Sequence, residues 1–593
     1  MLNLLYSLYF SKKLINDMNF KILFLFLTST LLFGQNNFIT PYEKGNKNQT
    51  TTYDEMNVFY QNLAKNFETI QYVKKGEDDN GKSIYVVVYN PFKEKDIKEL
   101  RKTKAVLFIN NGIHPGEPDG IDATMMLMRD LAMKKIKPPK NFIVAAISAY
   151  NVSGMLNRGA FSRANQNGPE QYGFRGNARN YDLNRDFIKN DSKNAKSFQT
   201  IFHWLKPDVF IDNHVSNGAD YQYTFTYISS FKARVGNVLG DYFYSTYQAN
   251  NLAEMKKNGY ESTQYVNIHG DVPDIGFAAF EDSPRYSTGY TTLFNALSTM
   301  PETHMLKPYE NRVDATYKYM LVNLENLDKE YLTIKNLRKE NLKQYQVGNQ
   351  YGIRWKIDST QFTTMDFKGY EAGYKPSAVS GKDRLYYDRS KPFTKKIKLF
   401  NSAKPISYIT IPKYYVLPQA EYRVVEALQR NDIQMKRIEN DTIINVESYK
   451  ISDFKTNKNA YEGHYNHYET VVTKSMKSLK FFEGDYIVPT QQDGVKYILE
   501  TLEPEALDSF FNWNFFDGIL GQKEYYSAYI FEDTAAELLK NNVVLKTAFE
   551  AEKALKPEFA NDGEAQLDWV YKNSPYFEKN TYRQYPIYRI LNL

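Results

Sequence analysis

The chain has 593 residues, enough for two or three domains, and 42% of them are hydrophobic, which excludes wholesale disorder. Its 75 lysines and arginines against 69 aspartates and glutamates leave a net charge of +6, a balance that predicts no nucleic-acid partner. The absence of cysteine excludes disulfides, iron–sulfur clusters, thiolate zinc sites and cysteine nucleophiles.

The first segment of the chain has the pattern of a secretion leader. Residues 18–34 place one lysine before a short, mostly apolar run that ends in small and polar residues. Such a run is too short for a stable transmembrane helix and is typical of a signal peptide. We therefore expect residues 1–34 to be a leader, with Met18 as a possible true start. The mature protein would then be secreted or periplasmic and lack an integral membrane span; a buried strand or a retained anchor is the alternative.

Helix and strand patterns alternate over residues 35–345, which we expect to form one domain that carries the candidate site described below. Helices are expected at residues 53–70, 120–135, 232–258 and 309–345. Strands are expected at residues 83–89, 104–111, 141–149, 207–213 and 293–302. Apolar strands that alternate with helices indicate an α/β fold, with a mixed, mostly parallel sheet flanked by helices.

The pattern changes after residue 345. Residues 346–490 give several short strands and are expected to form a strand-rich accessory domain. Residues 491–593 are expected to be a mostly helical C-terminal region, so the accessory part of the chain is α+β.

Three patterns in the sequence resemble functional motifs but do not predict the corresponding functions. Residues 76–83 match the phosphate-loop pattern GxxxxGK[ST], but they carry three acids and precede a strand, so they predict a hairpin turn. His464 and His467 lie three residues apart, and we interpret them as structural or cleft histidines rather than as a second metal site. The aromatic cluster at residues 510–516 predicts core or interface packing rather than a ligand platform.

A candidate metal site lies at the ends of two predicted strands. His114 and Glu117 lie on a Pro-Gly turn that follows strand 104–111, and His214 closes strand 207–213. Open α/β sheets place their sites at the carboxyl ends of strands. Two histidines and one carboxylate, with a fourth position left for water, are a ligand set of catalytic zinc. A structural loop and a hydrogen-bonded structural histidine are the alternatives.

Further polar groups could complete a hydrolytic site. Asn184 and Arg185 combine an amide and a guanidinium, a pair that suits a carboxylate ligand. Glu302 ends the last predicted strand and could be the general base for a metal-bound water. The alternatives are a surface salt bridge for the arginine and a cap for the glutamate.

The order of these motifs resembles the zinc carboxypeptidase family of A and B type, over roughly residues 50–340. The resemblance implies one Zn²⁺ per chain and a peptide substrate. It implies the following roles: Zn²⁺ binding by His114, Glu117 and His214, orientation of the first zinc histidine by Asp182, proton transfer from water to the leaving amine by Glu302, and binding of the substrate carboxylate by Asn184 and Arg185.

Some positions match the family less cleanly. Arg163 fits best as the arginine that polarises the scissile carbonyl, with Arg158 as the second choice. The family's mobile substrate tyrosine has two candidates here, Tyr286 and Tyr290. Asp186 follows the Asn-Arg pair where asparagine is usual, which could alter carboxylate recognition or bind a substrate amine.

The resemblance implies a secreted zinc metallocarboxypeptidase, a hydrolase that removes C-terminal residues from peptides. A zinc amidase that acts on cell-wall peptides is the first alternative, and an inactive binding module that kept the fold is the second. The side-chain preference stays open: Arg285 would favour an acidic substrate residue if it faced the cleft, although a surface arginine is the commoner arrangement. The role of residues 346–593 and the oligomeric state also stay open.

Overall fold

Residues 38–268 and 270–591 are described by the computed structural model of the chain. The predicted leader lies outside these residues. The described residues form two compact units. The first unit comprises residues 38–282, 286–341 and 357–403, and the second comprises residues 283–285, 342–356 and 404–591. The sequence-based division at residues 345 and 490 stays a prediction.

The first unit is built on an eight-stranded sheet with the order β1-β2-β4-β3-β5-β10-β6-β7. The strands of this sheet are β1 Ile70–Glu77, β2 Ser83–Tyr89, β3 Ala105–Asn111, β4 Phe142–Ile147, β5 Val209–Ser216, β6 Phe225–Ile228, β7 Ser262–Gln264 and β10 Leu297–His304. Two further short strands, β8 Asn267–Ile268 and β9 Phe277–Ala278, lie outside this sheet. Neighbours β4, β3, β5 and β10 run parallel, whereas β1 with β2, β2 with β4 and β10 with β6 are antiparallel. Every residue of β3, β4, β5 and β10 is buried, as expected for strands covered on both faces. The predicted mixed α/β sheet is confirmed.

The helices of the first unit flank this sheet. They are α1 Pro41–Lys44, α2 Tyr53–Asn66, α3 Ile97–Thr103, α4 Asp119–Ala132, α5 Val152–Leu156, α6 Lys193–Leu205, α7 Lys232–Val235, α8 Asn237–Tyr242, α9 Gln248–Lys257, α10 Ser287–Thr292 and α11 Tyr309–Leu342. Thr52 and Glu55 form a capping box that starts α2. None of the helices within the described ranges combines the length and the apolar character needed to cross a membrane.

The phosphate-loop-like pattern lies in the turn between β1 and β2. The Asp78 carboxylate accepts hydrogen bonds from the backbone N–H groups of Asn80 and Lys82, at 3.0 and 2.8 Å. Gly81 has φ +73°, a conformation that favours glycine. The prediction of a hairpin turn is confirmed.

A long hairpin also belongs to the first unit. The remaining strands of the described residues are β11 Gln350–Ile357, β12 Thr363–Pro376, β13 Asp383–Phe400, β14 Ala403–Thr410, β15 Tyr414–Leu417, β16 Lys436–Arg437, β17 Thr442–Thr456, β18 His467–Phe481, β19 Tyr486–Pro489 and β20 Tyr588–Ile590. The hairpin of β12 and β13 joins β9 and β8 in a four-stranded sheet. Phe367, Ile397 and Leu399 of the hairpin pack with Tyr221 and Phe277 in one buried cluster.

The second unit has a six-stranded sheet with the order β16-β19-β15-β20-β17-β18. Its helices are α12 Tyr422–Arg430, α13 Val495–Leu502, α14 Ala528–Asn541, α15 Val543–Leu555, α16 Pro557–Ala560 and α17 Gly563–Lys572. In the aromatic cluster Phe510, Phe511 and Trp513 are buried, which confirms its interpretation as packing. His467 is buried and lies within hydrogen-bonding distance of Thr456 and Asp517, as expected of a structural histidine.

Candidate active site

The turn after β3 carries the first two candidate ligands. Gly112 takes φ +67° at the end of the strand and so redirects the chain. The N–H of Glu117 donates to the carbonyl of His114 at 2.8 Å and closes the turn just before α4 begins. Both side chains are almost completely buried, at 3% and 4% exposure, so the turn holds them inside the protein.

The third histidine and the candidate base lie side by side on parallel strands. His214 of β5 is the register partner of Glu302 of β10. Both residues are buried near the carboxyl ends of their strands, the edge at which α/β sheets carry their sites.

The predicted ligands converge on one point. Nδ1 of His214 lies 3.0 Å from Oε2 of Glu117, and Nδ1 of His114 lies 3.2 Å from Oε1 of the same carboxylate. The two imidazole ring centres are 5.0 Å apart. One ligand atom from each of the three residues lies within 4.8 Å of the other two, a spacing compatible with one shared metal ion.

Two carboxylates fix the orientation of these imidazoles. Asp182 Oδ1 lies 2.9 Å from Nε2 of His114, and Asp212 Oδ2 lies 3.0 Å from Nε2 of His214. A proton held on each Nε2 leaves the Nδ1 lone pairs for a metal ion. Asp212 is a site residue that the sequence analysis missed, although the alternation of side chains along a strand places residues 212 and 214 on one face.

One buried atom tests whether a metal ion fits. Nδ1 of His114 is buried and makes no hydrogen bond, although it lies 3.2 Å from Oε1 of Glu117. A buried polar atom without a partner is costly, so a ligand is expected at that position. The donor set, two imidazole nitrogens and one carboxylate, suits zinc.

Neighbouring charges strongly shift the pKa values of the candidate ligands Glu117 and His214. Burial alone would raise the pKa of Glu117, but His114 and Arg163 hold it well below its usual value. Burial alone would lower the pKa of His214, but Asp212 and Glu117 hold it well above its usual value. The Asp212 and Glu117 carboxylates therefore favour a positive charge at the position of His214.

The pKa of Glu302 is shifted in the opposite direction from that of Glu117. Burial raises its pKa to about 8; the His214 imidazolium opposes this shift, and the Glu117 carboxylate adds to it. A cation bound between the neighbouring ligands would lower this pKa, since an opposite charge favours the carboxylate form.

Two arginines reach the ligands. Nη1 of Arg163 donates to Glu117 at 2.9 Å. Arg175, which the sequence analysis missed, donates to Asp182 through Nε and Nη2 at 3.0 and 2.8 Å. No short motif marks Arg175, and only the fold brings it to the site. Arg158, the second choice for the oxyanion role, donates instead to backbone carbonyls of residues 50 and 51.

One cavity of about 430 Å³ connects the ligands, Glu302 and the candidate carboxylate-binding pair. Asn184 and Arg185 lie in a single helical turn at residues 183–185, and both line this cavity. The N–H of Ser287 donates to Oδ1 of Asn184 at 3.0 Å. The Arg185 guanidinium lies 4.5 Å from the ring centre of Tyr286, which also lines the cavity.

The remaining candidates lie elsewhere. Tyr290 is fully buried, and its hydroxyl lies 3.3 Å from Nε2 of His203, so it does not line the cavity. Arg285 donates to Asp508 at 2.7 Å and is also absent from the cavity lining. Asp186 is buried, and its carboxylate is within 2.8 Å of Lys189 Nζ, so it serves a local ion pair.

No protein-family model matches the chain. The chain is 20% identical over 505 residues to Carboxypeptidase 2 of Trichophyton rubrum, a match that covers 77% of this chain and 83% of that protein. Among solved structures, it is similar to a metallo-carboxypeptidase from Burkholderia cenocepacia (15% identity, TM-score 0.34, covering 47% of this chain and 70% of that one). Carboxypeptidase A from Helicoverpa armigera is a second match (14% identity, TM-score 0.35, covering 47% and 74%).

Fold and site together define the class of protein. The chain is an α/β protein with a candidate His–Glu–His metal centre at the carboxyl ends of parallel strands. The curated relative is a carboxypeptidase, in agreement with the predicted resemblance to the zinc carboxypeptidase family.

The orienting carboxylates give a first prediction. Asp182→Asn and Asp212→Asn should each weaken zinc binding about 10–100-fold, because each asparagine loses the charge that holds a proton on Nε2. Competition with a chromogenic chelator measures this affinity. Asp54→Asn, in the exposed first turn of α2, is the control and should bind zinc like the wild type. Unchanged affinity in both site variants would contradict the orienting role.

Proposed function

We propose that this chain is an exported zinc carboxypeptidase that hydrolyses the C-terminal peptide bond of peptides. The observation that carries the proposal is the convergence of His114, Glu117 and His214 in one cavity with Glu302 and Arg185. Each of these side chains has a role in that reaction, and no covalent nucleophile is needed.

The metal ligands are His114, Glu117 and His214, one Zn²⁺ per chain. Zn²⁺ held there would supply a Lewis acid that polarises the scissile carbonyl and acidifies the attacking water. The buried Nδ1 of His114 without a hydrogen bond supports this assignment. Asp182 and Asp212 keep the imidazoles oriented.

Asn184 and Arg185 bind the substrate's terminal carboxylate. Oδ1 of Asn184 accepts the N–H of Ser287, so the amide NH₂ remains as the donor toward the cavity. The Arg185 guanidinium supplies a charge-assisted contact to the same carboxylate. Tyr286 lies beneath that guanidinium and restricts its position through the cation–π contact.

Glu302 and Arg163 act on the reacting atoms. As a carboxylate, Glu302 accepts a proton from the attacking water and then delivers it to the leaving amine. Arg163 stabilises the negative charge that develops on the carbonyl oxygen. Its anchoring contact to Glu117 keeps the guanidinium beside the ligands. The water oxygen ends in the new carboxylate and the proton on the released amino acid, so the reaction is balanced.

The proposal predicts a requirement for a free C-terminus. Peptides with a free carboxylate should be cleaved at the last bond, whereas the same peptides with an amidated C-terminus should lose about 10²-fold or more in kcat/KM, because Arg185 loses its charged partner. Mass spectrometry of the products, with and without a chelator, measures both effects. Equal cleavage of the two peptides would contradict exopeptidase action.

A matched pair of arginine variants sharpens this test. Arg185→Met should reduce the preference for the free carboxylate. Arg179→Met is the control, because that guanidinium also lies over a tyrosine ring, at 4.6 Å from Tyr181, but outside the cavity lining. The control should keep the full preference.

The same experiments separate the alternatives. A cell-wall amidase would release fragments from purified wall stem peptides but not from ordinary peptides. A binding module would hold little zinc and cleave neither. Export rests on the leader pattern of residues 1–34, and detection of the mature protein outside the cytoplasm tests it.

A further inference from the structure

The long hairpin of β12 and β13 carries a concentrated positive charge. Residues 363–400, which comprise the two strands and their turn, contain nine lysines and arginines but only four aspartates and glutamates. This excess of five positive charges compares with +6 for the whole chain. Most of the hairpin side chains are exposed. Such an exposed excess creates a positive potential that attracts anions.

Some of these cations anchor the hairpin to the rest of the first unit. Nε of Arg389 lies 2.6 Å from Oδ2 of Asp220, and Nζ of Lys395 lies 3.1 Å from Oδ2 of Asp274. These cations are neutralised by their partners and have a structural role. They do not supply the free positive charge of the hairpin.

The free positive charge lies at the other end of the hairpin, around its turn. Lys375, Lys382 and Arg384, here called the tip cations, are exposed, and none of them forms an ion pair with a carboxylate of the described residues. Lys375 and Arg384 are cross-strand register partners. Like charges placed directly opposite each other destabilise a strand pair. An anion bound between them would remove this repulsion.

The acids of the hairpin leave the tip cations available. Three of the four acids are paired with hairpin lysines: Asp366 with Lys396, Glu371 with Lys395 and Asp388 with Lys391. The fourth, Asp383, is adjacent to Arg384 along β13, so the two side chains project from opposite faces of the strand. The face that carries Lys375 and Arg384 is therefore positive at the tip.

The chemistry of the tip suits carboxylates. The Arg384 guanidinium can donate two parallel hydrogen bonds to one carboxylate. Nζ of Lys375 lies 4.7 Å from the ring centre of Tyr386, a cation–π contact that restricts the position of the ammonium group. Side chains of glutamate and aspartate would find charged donors there.

The base of the hairpin adjoins the cavity of the candidate active site. Phe280 and Asn217 both line that cavity. The N–H of Ala279, directly before Phe280, donates to the carbonyl of Phe400 at the end of β13, at 3.0 Å. The N–H of Gln222, in the segment that follows Asn217, donates to a carbonyl of β12 at 3.1 Å. A peptide whose C-terminus occupies the cavity can therefore reach the hairpin if it is long enough.

The length of the hairpin sets the length of that peptide. The register of the two strands shifts between Tyr370 and Glu371, and β12 ends at Pro376. The strand beyond the shift spans roughly 20 Å at about 3.4 Å per residue. An extended peptide also covers about 3.3–3.6 Å per residue, so about eight residues or more are needed to reach from the cavity to the tip.

We propose that the tip cations bind acidic residues of the peptide substrate that precede its C-terminus, so that the enzyme favours long peptides with an acidic segment. This inference rests on the proposed carboxypeptidase activity. It adds a second region of substrate recognition, outside the cavity, to that activity.

The first test uses the full-length, zinc-loaded chain and two free-acid peptides of about 15 residues. They share their last five residues and carry either four glutamates or four glutamines before these. We expect kcat/KM for the glutamate peptide to be about tenfold higher at low salt, mainly through a lower KM. The difference should largely disappear at 1 M salt, where charges are screened beyond about 3 Å. Equal values at low salt would overturn the inference alone, whereas no cleavage of either peptide would overturn the proposed function.

A pair of double variants assigns the preference to the tip. Lys375→Glu combined with Arg384→Glu should bring the glutamate-to-glutamine ratio of kcat/KM to about one or below, because the reversed charges repel the acidic segment. Lys65→Glu combined with Lys98→Glu makes the same change of net charge on exposed helical positions outside the cavity lining. This control should keep the wild-type ratio. An equal loss in both double variants would show that overall charge, and not the tip, sets the preference, and would overturn the inference.

A binding measurement tests the tip without hydrolysis. Fluorescence anisotropy of the labelled glutamate peptide with an amidated C-terminus should give a Kd about tenfold weaker for the tip variant than for the wild type. Cosedimentation with vesicles of phosphatidylglycerol and phosphatidylcholine tests the other anionic partner, a membrane surface. Vesicle binding that depends on the tip cations, without tip-dependent peptide binding, would overturn the proposal of a peptide site.

Discussion

Replacing Glu302 by glutamine is expected to lower kcat/KM roughly 10²–10⁴-fold while zinc stays bound, because glutamine keeps the shape of the side chain but cannot accept a proton. The backbone around Glu302 should be unaffected. Its carbonyl accepts a hydrogen bond from the Thr226 hydroxyl at 2.8 Å, and β10 lies between β5 and β6. Steady-state kinetics with a free-acid peptide and elemental analysis of the purified variant measure the two quantities.

A second glutamate controls for the charge change. Glu310 lies in the exposed first turn of α11, where it pairs with Lys47. Glu310→Gln should keep the wild-type rate within about a factor of two, because exposed ion pairs contribute little. If Glu302→Gln retained more than about a tenth of the wild-type activity, far more than loss of a general base allows, the base would have to be another group.

The fully buried strands were the most predictable part of the fold. The apolar runs at residues 104–111, 141–149 and 207–213 correspond to β3, β4 and β5 within two or three residues. A strand covered on both faces is apolar throughout. Its sequence pattern can therefore be recognised without knowing which face of the strand is buried. The candidate metal ligands were predictable for the same reason, since His114 and Glu117 follow β3 and His214 lies near the carboxyl end of β5.

Helix boundaries were less predictable. The predicted helix at residues 53–70 ends at Asn66, because Ile70 already begins β1. The predicted helix at residues 232–258 is divided near Gly236, which takes φ +118°. It also contains a π-helical turn at residues 243–247. Apolar periodicity does not reveal such interruptions, because the flanking turns keep the same buried face.

Contacts between distant segments were not predictable. The long hairpin of β12 and β13 is mostly exposed, and only a few of its side chains, such as Phe367, pack into the first unit. A strand with a solvated surface gives no continuous apolar run. Arg175 likewise depends on the fold, because the loop that carries it has no regular pattern, yet its guanidinium meets Asp182 and Glu117.

Removing a proposed metal ligand is the second change that we expect to lower activity strongly. His214→Gln should reduce zinc to below about 0.1 per chain and lower kcat/KM by at least about 10³-fold, because a two-ligand site loses most of its affinity and the Lewis acid with it. His114→Gln should behave in the same way. Elemental analysis after dialysis against a zinc buffer and peptide kinetics measure these losses.

Thermal unfolding separates metal loss from misfolding. Zinc at about 1,000 times its Kd stabilises a protein that binds it by about 4 kcal/mol, so chelation should lower the Tm of the wild type. The His214→Gln variant should unfold near the Tm of the chelated wild type and show no further change with chelator. His203→Gln on α6, outside the cavity lining, is the control and should keep zinc, activity and the chelator-dependent Tm. A His214→Gln protein that retained stoichiometric zinc and full activity would show that the chemistry occurs elsewhere, because neither property can survive the loss of a true ligand.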